Sequence, residues 1–564
     1  MASDFIANMA LEMASAPPTT SPSALPSSTT SPTSSSSSPS IQNFRPRAAI
    51  LGAGISGLSA SISLRRAGWS CTIFERSLFS NETGAAITLP PNASLCLSRW
   101  GFDFNKAEPV PNWSIRFARA DTLEVVKSEE YKGFGEDLGV GGEKGHGGSW
   151  GVHRADLHWG LRELVGAQRI KGAISRSKEK TRETEGKVDA ERGRKGMIDG
   201  GPVKIELGRE VVGLNCEEGV IEFRDETKLE GWDLVVVADG AHSKLLPSIL
   251  PPSSTPSSYL ARPTSRSIYR FLLPLTPSSP LLTNPSLRPH FLPHNQGGPL
   301  PGFLSWHDPI RDVLWVSYPC RGGRVLNNAI VHDTPPQPSG EAGESSPPGR
   351  GWSTAVGREE VLKVLSGFNG AVRALVDLAF GEEGEKEEDN GRGTGEEGIK
   401  VHHLFKRPAL NSFVRGKAVV IGDAAHVMMP THAAGGAIAI ESAATIEVLF
   451  RDFPSDPPQL EEFVKRRLQL FDQLRIPRCN LTMLASNAGP KWLNVEGVEE
   501  EARRYYKGPL PHKDTLPWTY EFRQVLFCYD AFEAAEEAVR KEEEAVGAAS
   551  RSEAMGSELK AGNM

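Results

Sequence analysis

From Arg47 onward the chain alternates short apolar runs with longer segments of helical period. Arg47-Ala-Ala-Ile-Leu51 reads as a buried strand, Leu58 to Ala67 as a helix halted by Gly68, and Trp69 to Phe74 as a second strand. Further along, Asp233-Leu-Val-Val-Val-Ala238 and Gly416-Lys-Ala-Val-Val-Ile421 read as two more buried strands, and Ala437 to Phe450 as an apolar helix. The block from about Leu260 to Val331 reads as a sheet. Strands alternating with helices are the mark of an α/β fold. Stretches without a hydrophobic period interrupt the pattern: a Ser/Thr/Pro leader from Ala16 to Ser40, a charged and Gly-rich insertion from Lys171 to Gly201, a Pro/Gly/Ser/Glu stretch from Asp333 to Gly351, and an acidic run from Gly381 to Gly398. The folded blocks between them begin at Pro46, Val203, Gly351 and Ile399. No repeat of solenoid or propeller period is present. Ala531 to Ser550, rich in Ala and Glu, reads as a solvated helix that frays before Met564.

Length allows about four domains at roughly 150 residues each, and the low-complexity stretches reduce that number. Formal net charge is −7, of which the acidic run, with eight acids against two bases, carries −6. The remainder is nearly neutral, so no basic face points to nucleic acid and no polybasic run to anionic lipid. Six cysteines lie far apart, with no spacing for a zinc site or a disulfide framework, and no histidine pair has metal spacing. No apolar run reaches 18 residues, so no spanning helix is expected. With neither a secretory nor a mitochondrial pattern at its start, the chain is expected in the reducing cytoplasm.

The first strand runs directly into Gly52-Ala-Gly54-Ile-Ser-Gly57 and then the helix. In that order each glycine has a task. Gly52 makes the tight turn, Gly54 lets a pyrophosphate approach the backbone, and Gly57 lets helix and strand pack while helix N–H groups face the phosphate. Glu75 at the tip of the second strand accepts a ribose 2′-hydroxyl and repels a 2′-phosphate, which selects the ADP part of FAD or NAD over NADP. Asp239-Gly240 and Gly422-Asp423 each end a buried strand. An acid at such a tip accepts ribityl hydroxyls, and the helix that follows Gly435-Gly436 offers free N–H groups to a reduced, anionic flavin. These features favour FAD.

On these motifs the chain resembles the class A FAD-dependent monooxygenases, the para-hydroxybenzoate and salicylate hydroxylase-like enzymes, in a fungal-type version, from about Arg47 to Asp530. The resemblance implies a doubly wound, Rossmann-like FAD domain, an antiparallel-sheet substrate domain and a helical C-terminal region. In cofactor binding it implies Gly52, Gly54, Gly57 and Glu75 for the ADP half of FAD, and backbone contact at Ala86. Arg154 at a helix start and Asp239 in the Asp-Gly turn would also meet FAD. Asp423 would hold the ribityl chain, with Pro430, Gly435 and Gly436 beside the isoalloxazine ring. Asp156 reads as an N-terminal helix acid, and Trp518 and Tyr529-Asp530 resemble the family's tail. NAD(P)H would visit a surface groove transiently, since only one GxGxxG is present. The chain departs from the family at Ala434-Gly435-Gly436, at Glu441-Ser442-Ala443, and at Leu246, where some fungal relatives carry arginine.

The function so implied is hydroxylation of a small aromatic, phenolic or polyketide-derived substrate with NAD(P)H and O2 through a C4a-hydroperoxyflavin. Competing readings are another flavin oxidoreductase on the same scaffold, such as a dehydrogenase or epoxidase, and a flavin-binding protein without turnover. Tyr269 is the expected catalytic residue, and neighbouring Arg270 would stabilise an anionic substrate. On a strand the two point to opposite faces, so only one meets the pocket. Phe271, Phe303, Trp306, Trp315 and Tyr318 are candidate walls. The expected domains are a leader to residue 45, a first FAD part over 46–259, a substrate sheet over 260–400, a second FAD part over 401–450, and a helical remainder.

Overall fold

The computed structural model describes residues 44–78, 85–130, 148–166, 201–334, 354–380, 399–515 and 518–561, the last from residue 548 by backbone course alone. The Ser/Thr/Pro leader, nearly all of the charged insertion, the Pro/Gly/Ser/Glu stretch from residue 335 and the acidic run lie outside the described residues.

Arg47–Leu51, Ser70–Glu75, Lys204–Leu207, Leu234–Val237 and Ala418–Val420 form a parallel sheet, closed by the short antiparallel strand Val414–Arg415. Helix Ile55–Arg66 packs on its central strands, and Phe74 packs edge-on against Trp232 and against Phe223 of a small antiparallel sheet formed by Val211–Asn215, Val220–Phe223 and Lys228–Leu229. Register sets Leu51 beside Phe74 on one side and Val237 on the other, with Val420 beyond Val237. The glycine turn, Glu75, Asp239 and Asp423 therefore all emerge at one carboxyl edge, although up to 371 residues separate them in the chain.

The second sheet has eight strands in the order Thr354–Ala355, Lys400–Lys406, Arg262–Pro274, Val325–Asp333, Val313–Cys320, Gly302–Asp308, Ser114–Arg119, Val125–Glu130. All neighbours are antiparallel except Gly302–Asp308 with Ser114–Arg119. Two boundaries thus differ from the sequence expectation. Ser114 to Glu130 belongs to this sheet although it lies within the first FAD block, and Lys400–Lys406 pairs with Arg262–Pro274 and not with the nucleotide strands. Backbone pairing between distant strands decides both, and local composition carries no trace of it. The C-terminal region is helical, with Pro457–Ala488 and Ala531–Ala561 its longest elements. No described helix is long and apolar enough to cross a membrane.

Helix Gly435–Leu449 is buried on all sides between the glycine-turn helix Ile55–Arg66, helix Pro91–Trp100 and the C-terminal helices. Two carboxylates on it are fully buried. Glu447 accepts from Trp100 Nε1 at 2.8 Å, Arg451 Nη2 at 2.7 Å and Arg66 Nε at 3.1 Å. Glu441 accepts from Arg475 Nη2 at 2.8 Å, from Arg478 Nε at 3.1 Å and Nη2 at 2.9 Å, and from Asn92 Nδ2. Ser442, next to Glu441 in the helix, accepts from Arg475 Nε at 3.2 Å. Arg478 also donates to the carbonyls of Val525 and Leu526, and the Tyr529 ring covers the Arg478 guanidinium. One carboxylate thus ties together three helices and the tail.

Burial pushes the Glu441 carboxyl up, but Arg478 and Arg475 outweigh it and its pKa lies below the ordinary value. Its contribution is therefore present above the usual carboxylate pKa of about 4.3 and is lost as pH falls through the depressed folded value. Glu441→Gln leaves two buried guanidiniums without a counter-charge and should cost about 3–5 kcal/mol. Urea titrations from neutral pH to pH 3 should show a lower midpoint for the variant and a weaker loss of midpoint on acidification.

Candidate cofactor and substrate site

The glycine turn has the shape its sequence requires. Gly52 sits at φ +109°, where a Cβ would lie 2.4 Å from the Ala238 carbonyl oxygen, and a Cβ on Gly57 would lie 1.9 Å from the Gly52 oxygen. Both glycines pack backbone on backbone. A Cβ on Gly54, by contrast, would meet no atom within 4 Å. That open space above a helix start is the cradle a pyrophosphate needs. Glu75 lies against the same turn, its Oε2 accepting from Ala53 N at 2.8 Å, and His158 Nε2 bonds the Ala53 carbonyl at 2.8 Å from the other side.

The two Asp turns stand next along the edge. Gly422 adopts φ +64° with its missing Cβ 2.0 Å from Ser56 Oγ, so the Gly-Asp turn lies against the first turn of the glycine-turn helix. Asp423 is exposed, and its Oδ1 is 4.0 Å from the point a Gly435 Cβ would occupy. Helix Gly435–Leu449 starts without a side-chain cap and without an acid in its first turn, leaving its dipole unopposed at that end. Asp239 is largely buried, Oδ2 accepts from Lys244 N at 3.2 Å and Oδ1 has no partner; burial holds its carboxyl above the ordinary value. An open cradle, an unpaired buried acceptor and an uncapped helix start fit an extended dinucleotide with ribityl hydroxyls. They fit FAD.

Sequence reasoning missed the residue that joins the two turns. Arg407, just beyond strand Lys400–Lys406, is buried and donates to Ala424 O at 2.7 Å and Ala241 O at 3.1 Å. Burial pulls its guanidinium down to about 10 against the opposing pull of Asp423 and Asp239. Its partners are backbone carbonyls far apart in sequence, so no local pattern marks it. His426 and His432 are buried and held near 4, chiefly by burial, and are neutral at physiological pH.

The substrate sheet meets this edge through Ala86, whose N–H donates to Asn327 Oδ1 at 2.9 Å and whose carbonyl accepts from Tyr318 OH at 2.8 Å. Both of its backbone groups are thereby engaged by the sheet. Asp156, in the first turn of helix Arg154–Leu164, is held by Arg321 in a two-point pair at 2.8 and 3.0 Å, a second tie between the layers. Arg154 at the start of that helix is exposed and has no ion pair among the described residues. Trp518 lies against His432, ring centroids 5.3 Å apart, beside the Pro430–His432 turn, while Tyr529 and Asp530 serve the packing of the tail, Asp530 pairing with Arg99 at 2.7 Å.

Alternation along the strands divides the candidate walls. Tyr269, Phe271, Trp306 and Trp315 join the core between the sheet and the helices of residues 358–380, facing away from the nucleotide edge. Phe303 and Tyr318 join the opposite core with Ala86 and Ala434, where Phe117, Leu272, Val316 and Trp518 are only partly buried. Tyr269, the expected catalytic residue, is therefore displaced: it is fully buried, stacks on His332 at 4.1 Å and donates to Glu360 at 3.2 Å. Burial, then Glu360, pushes its phenol well above the ordinary value. Arg270 takes the flavin-side face. Leu246 is buried in the nucleotide core.

No family model matches the chain. Among curated proteins it is 24% identical over 499 residues to the FAD-dependent monooxygenase cfoG of Aspergillus candidus, covering 87% of this chain and 94% of that protein. It is 25% identical over 491 residues to the 3-amino-4-hydroxybenzoate 2-monooxygenase PtnB3 of Streptomyces platensis, covering 86% and 97%. Among solved structures it shares the fold of a salicylate hydroxylase substrate complex, with a TM-score of 0.58 at 19% identity over 88% of this chain and 98% of that one. Both curated relatives are monooxygenases by name, and the likeness to the salicylate hydroxylase gives this chain the fold of that flavoprotein hydroxylase.

Gly54→Ala should leave the thermal midpoint unchanged, because its methyl meets no protein atom, yet weaken FAD binding by roughly tenfold or more by filling the cradle. Gly57→Ala should lower both. Calorimetry of the apoprotein and fluorescence titration with FAD separate the two outcomes.

Proposed function

We propose that the chain hydroxylates a small aromatic substrate with NAD(P)H and O2, using FAD held at the carboxyl edge of the parallel sheet. The observation that carries this reading is the convergence on one edge of the Gly54 cradle, Glu75, Asp239, Asp423 and the uncapped Gly435 helix, beside the apolar cluster that joins Ala434 to Phe303 and Tyr318 of the second sheet. FAD supplies the activated oxygen once NAD(P)H has reduced it.

The chain's own residues bind, orient and shield. Backbone N–H groups at Gly54 and the helix behind it hold the pyrophosphate, Glu75 takes the ribose, and Asp423 takes the ribityl hydroxyls. The start of helix Gly435–Leu449 sets positive potential where a reduced ring carries negative charge. Ala434 and the partly buried Phe117, Leu272, Val316 and Trp518 supply apolar surface that would keep water from the ring, as an electrophilic oxygen donor requires. NAD(P)H reaches the ring as a transient visitor. Phenolic and polyketide-derived rings suit these walls, and catalysis proceeds in the cytoplasm.

The visible spectrum of the purified protein, followed by anaerobic reduction with NADH and NADPH and a panel of phenolic acids and polyketide aromatics, tests this. A flavin spectrum with reduction accelerated by a ring-bearing ligand is expected. A colourless protein that does not take up FAD removes the reading, and a flavin that neither nucleotide reduces favours a protein without turnover. Tyr269→Phe, on the far side of the sheet, should lose one hydrogen bond worth about 0.5–1.5 kcal/mol of stability and keep kcat within about twofold. Steady-state kinetics beside a melting curve check it.

A further inference from the structure

The face of the second sheet that is turned away from the nucleotide edge holds a buried cation without an acid. Arg116, in strand Ser114–Arg119, is 9% exposed. It pairs across the strands with Leu304, and Ala118 pairs with Trp306, so by alternation Arg116 and Trp306 share the face that carries Ala118 and Leu304. One helical turn, Arg288–Phe291, covers both. Arg116 Nη2 donates to the His290 carbonyl at 3.0 Å, and the centroid of the Trp306 ring is 6.4 Å from that of His290 and 5.7 Å from that of Phe291.

Hydrogen bonding is incomplete at this place. Arg116 Nε and Trp306 Nε1 are buried and have no hydrogen-bond partner among the described residues. Both groups only donate, so what they lack is an acceptor. Charge is incomplete as well. Arg116 forms no ion pair among the described residues, and burial alone acts on its guanidinium, pulling it down to about 10, which leaves it cationic at neutral pH. The other buried arginines show the contrast: Arg467, Arg475 and Arg478 meet carboxylates at 2.5, 2.8 and 2.9 Å, and Arg407 is drawn by Asp423 and Asp239. A water molecule satisfies a donor, but only an anion balances a buried guanidinium.

We propose that Arg116 Nε and Trp306 Nε1 together bind a small monovalent inorganic anion, chloride under ordinary conditions, which neutralises Arg116 and ties strand Ser114–Arg119 to helix Arg288–Phe291. The side chains around the two donors, Ala118, Leu304 and Phe291, are apolar. A spherical ion with a single charge suits two donors in such walls, whereas phosphate or sulfate brings a second charge and oxygen acceptors that would stay unmatched. The site is separate from the cofactor edge, because Ile115 and Phe117, the strand neighbours of Arg116, face the opposite core with Ala86 and Ala434.

The test melts the FAD-loaded protein in sodium gluconate, with chloride or bromide replacing gluconate at constant ionic strength. The midpoint should rise saturably with either halide, by about 1–2 °C. Arg116→Met should abolish the response. In gluconate its midpoint should equal or exceed that of the native protein, since removal of an unbalanced buried charge outweighs the lost bond to the His290 carbonyl. Trp306→Phe keeps the charge and removes one donor, so it should raise the half-saturating halide concentration roughly threefold or more. Crystals soaked in bromide should give an anomalous peak within hydrogen-bond distance of both nitrogens. A native midpoint that halides leave unchanged overturns the proposal, as does an Arg116→Met variant that keeps the response or a bromide peak found only elsewhere. Should Arg116→Met fail to fold, a Trp306→Phe variant with native half-saturation overturns it equally.

Discussion

A carboxylate sealed inside the protein, Glu441, holds the architecture in register. It sits on a helix buried on every side, and the first residues of that helix border the candidate cofactor site. Two arginines of the long C-terminal helix and an asparagine of helix Pro91–Trp100 converge on it, and one of those arginines reaches on to the tail carbonyls. Charges removed from water are stabilised only by near-complete pairing, so this cluster tolerates one arrangement of its elements and penalises the others. The position of Gly435 beside Asp423 follows from that constraint. With one carboxylate between two guanidiniums the cluster carries one more positive than negative charge, and Arg475 Nη1 has no hydrogen-bond partner among the described residues.

The cofactor edge itself depends on strand pairing. Parallel strands in register set four strand tips side by side, and each tip carries the residue its geometry suits: glycine where backbones touch, acid where a sugar hydroxyl would come. Arg407 and the Arg321–Asp156 pair then fasten the substrate sheet to that edge from two directions. Such ties suit a site in which a flavin and a second ring must meet within narrow tolerances.

The substrate sheet has two apolar faces with different duties. One packs helices and is closed by Trp306, Trp315 and Tyr269; the other packs Phe303 and Tyr318 with Ala86, Ala434 and residues of the C-terminal helices.

The amino-acid sequence by itself determined the nucleotide end. Strand, glycine turn, helix and Glu75 lie within 29 residues, and their meaning is local, since turn geometry and helix dipoles need no distant partner. The acids at the two later strand tips were legible for the same reason, as were the α/β class and the family likeness. The alternation of Tyr269 and Arg270 was legible too, but period two says only that neighbours face opposite ways. Which face met the flavin was decided by what packs on each side, and the helices of residues 358–380 claimed Tyr269. Arg407, Asn327 and the partner of Asp156 stayed hidden, because their partners lie far away in sequence or are backbone atoms that carry no side-chain signature. The inclusion of Ser114–Glu130 in the substrate sheet was hidden likewise, since a strand's partner is set by the closing of the whole fold.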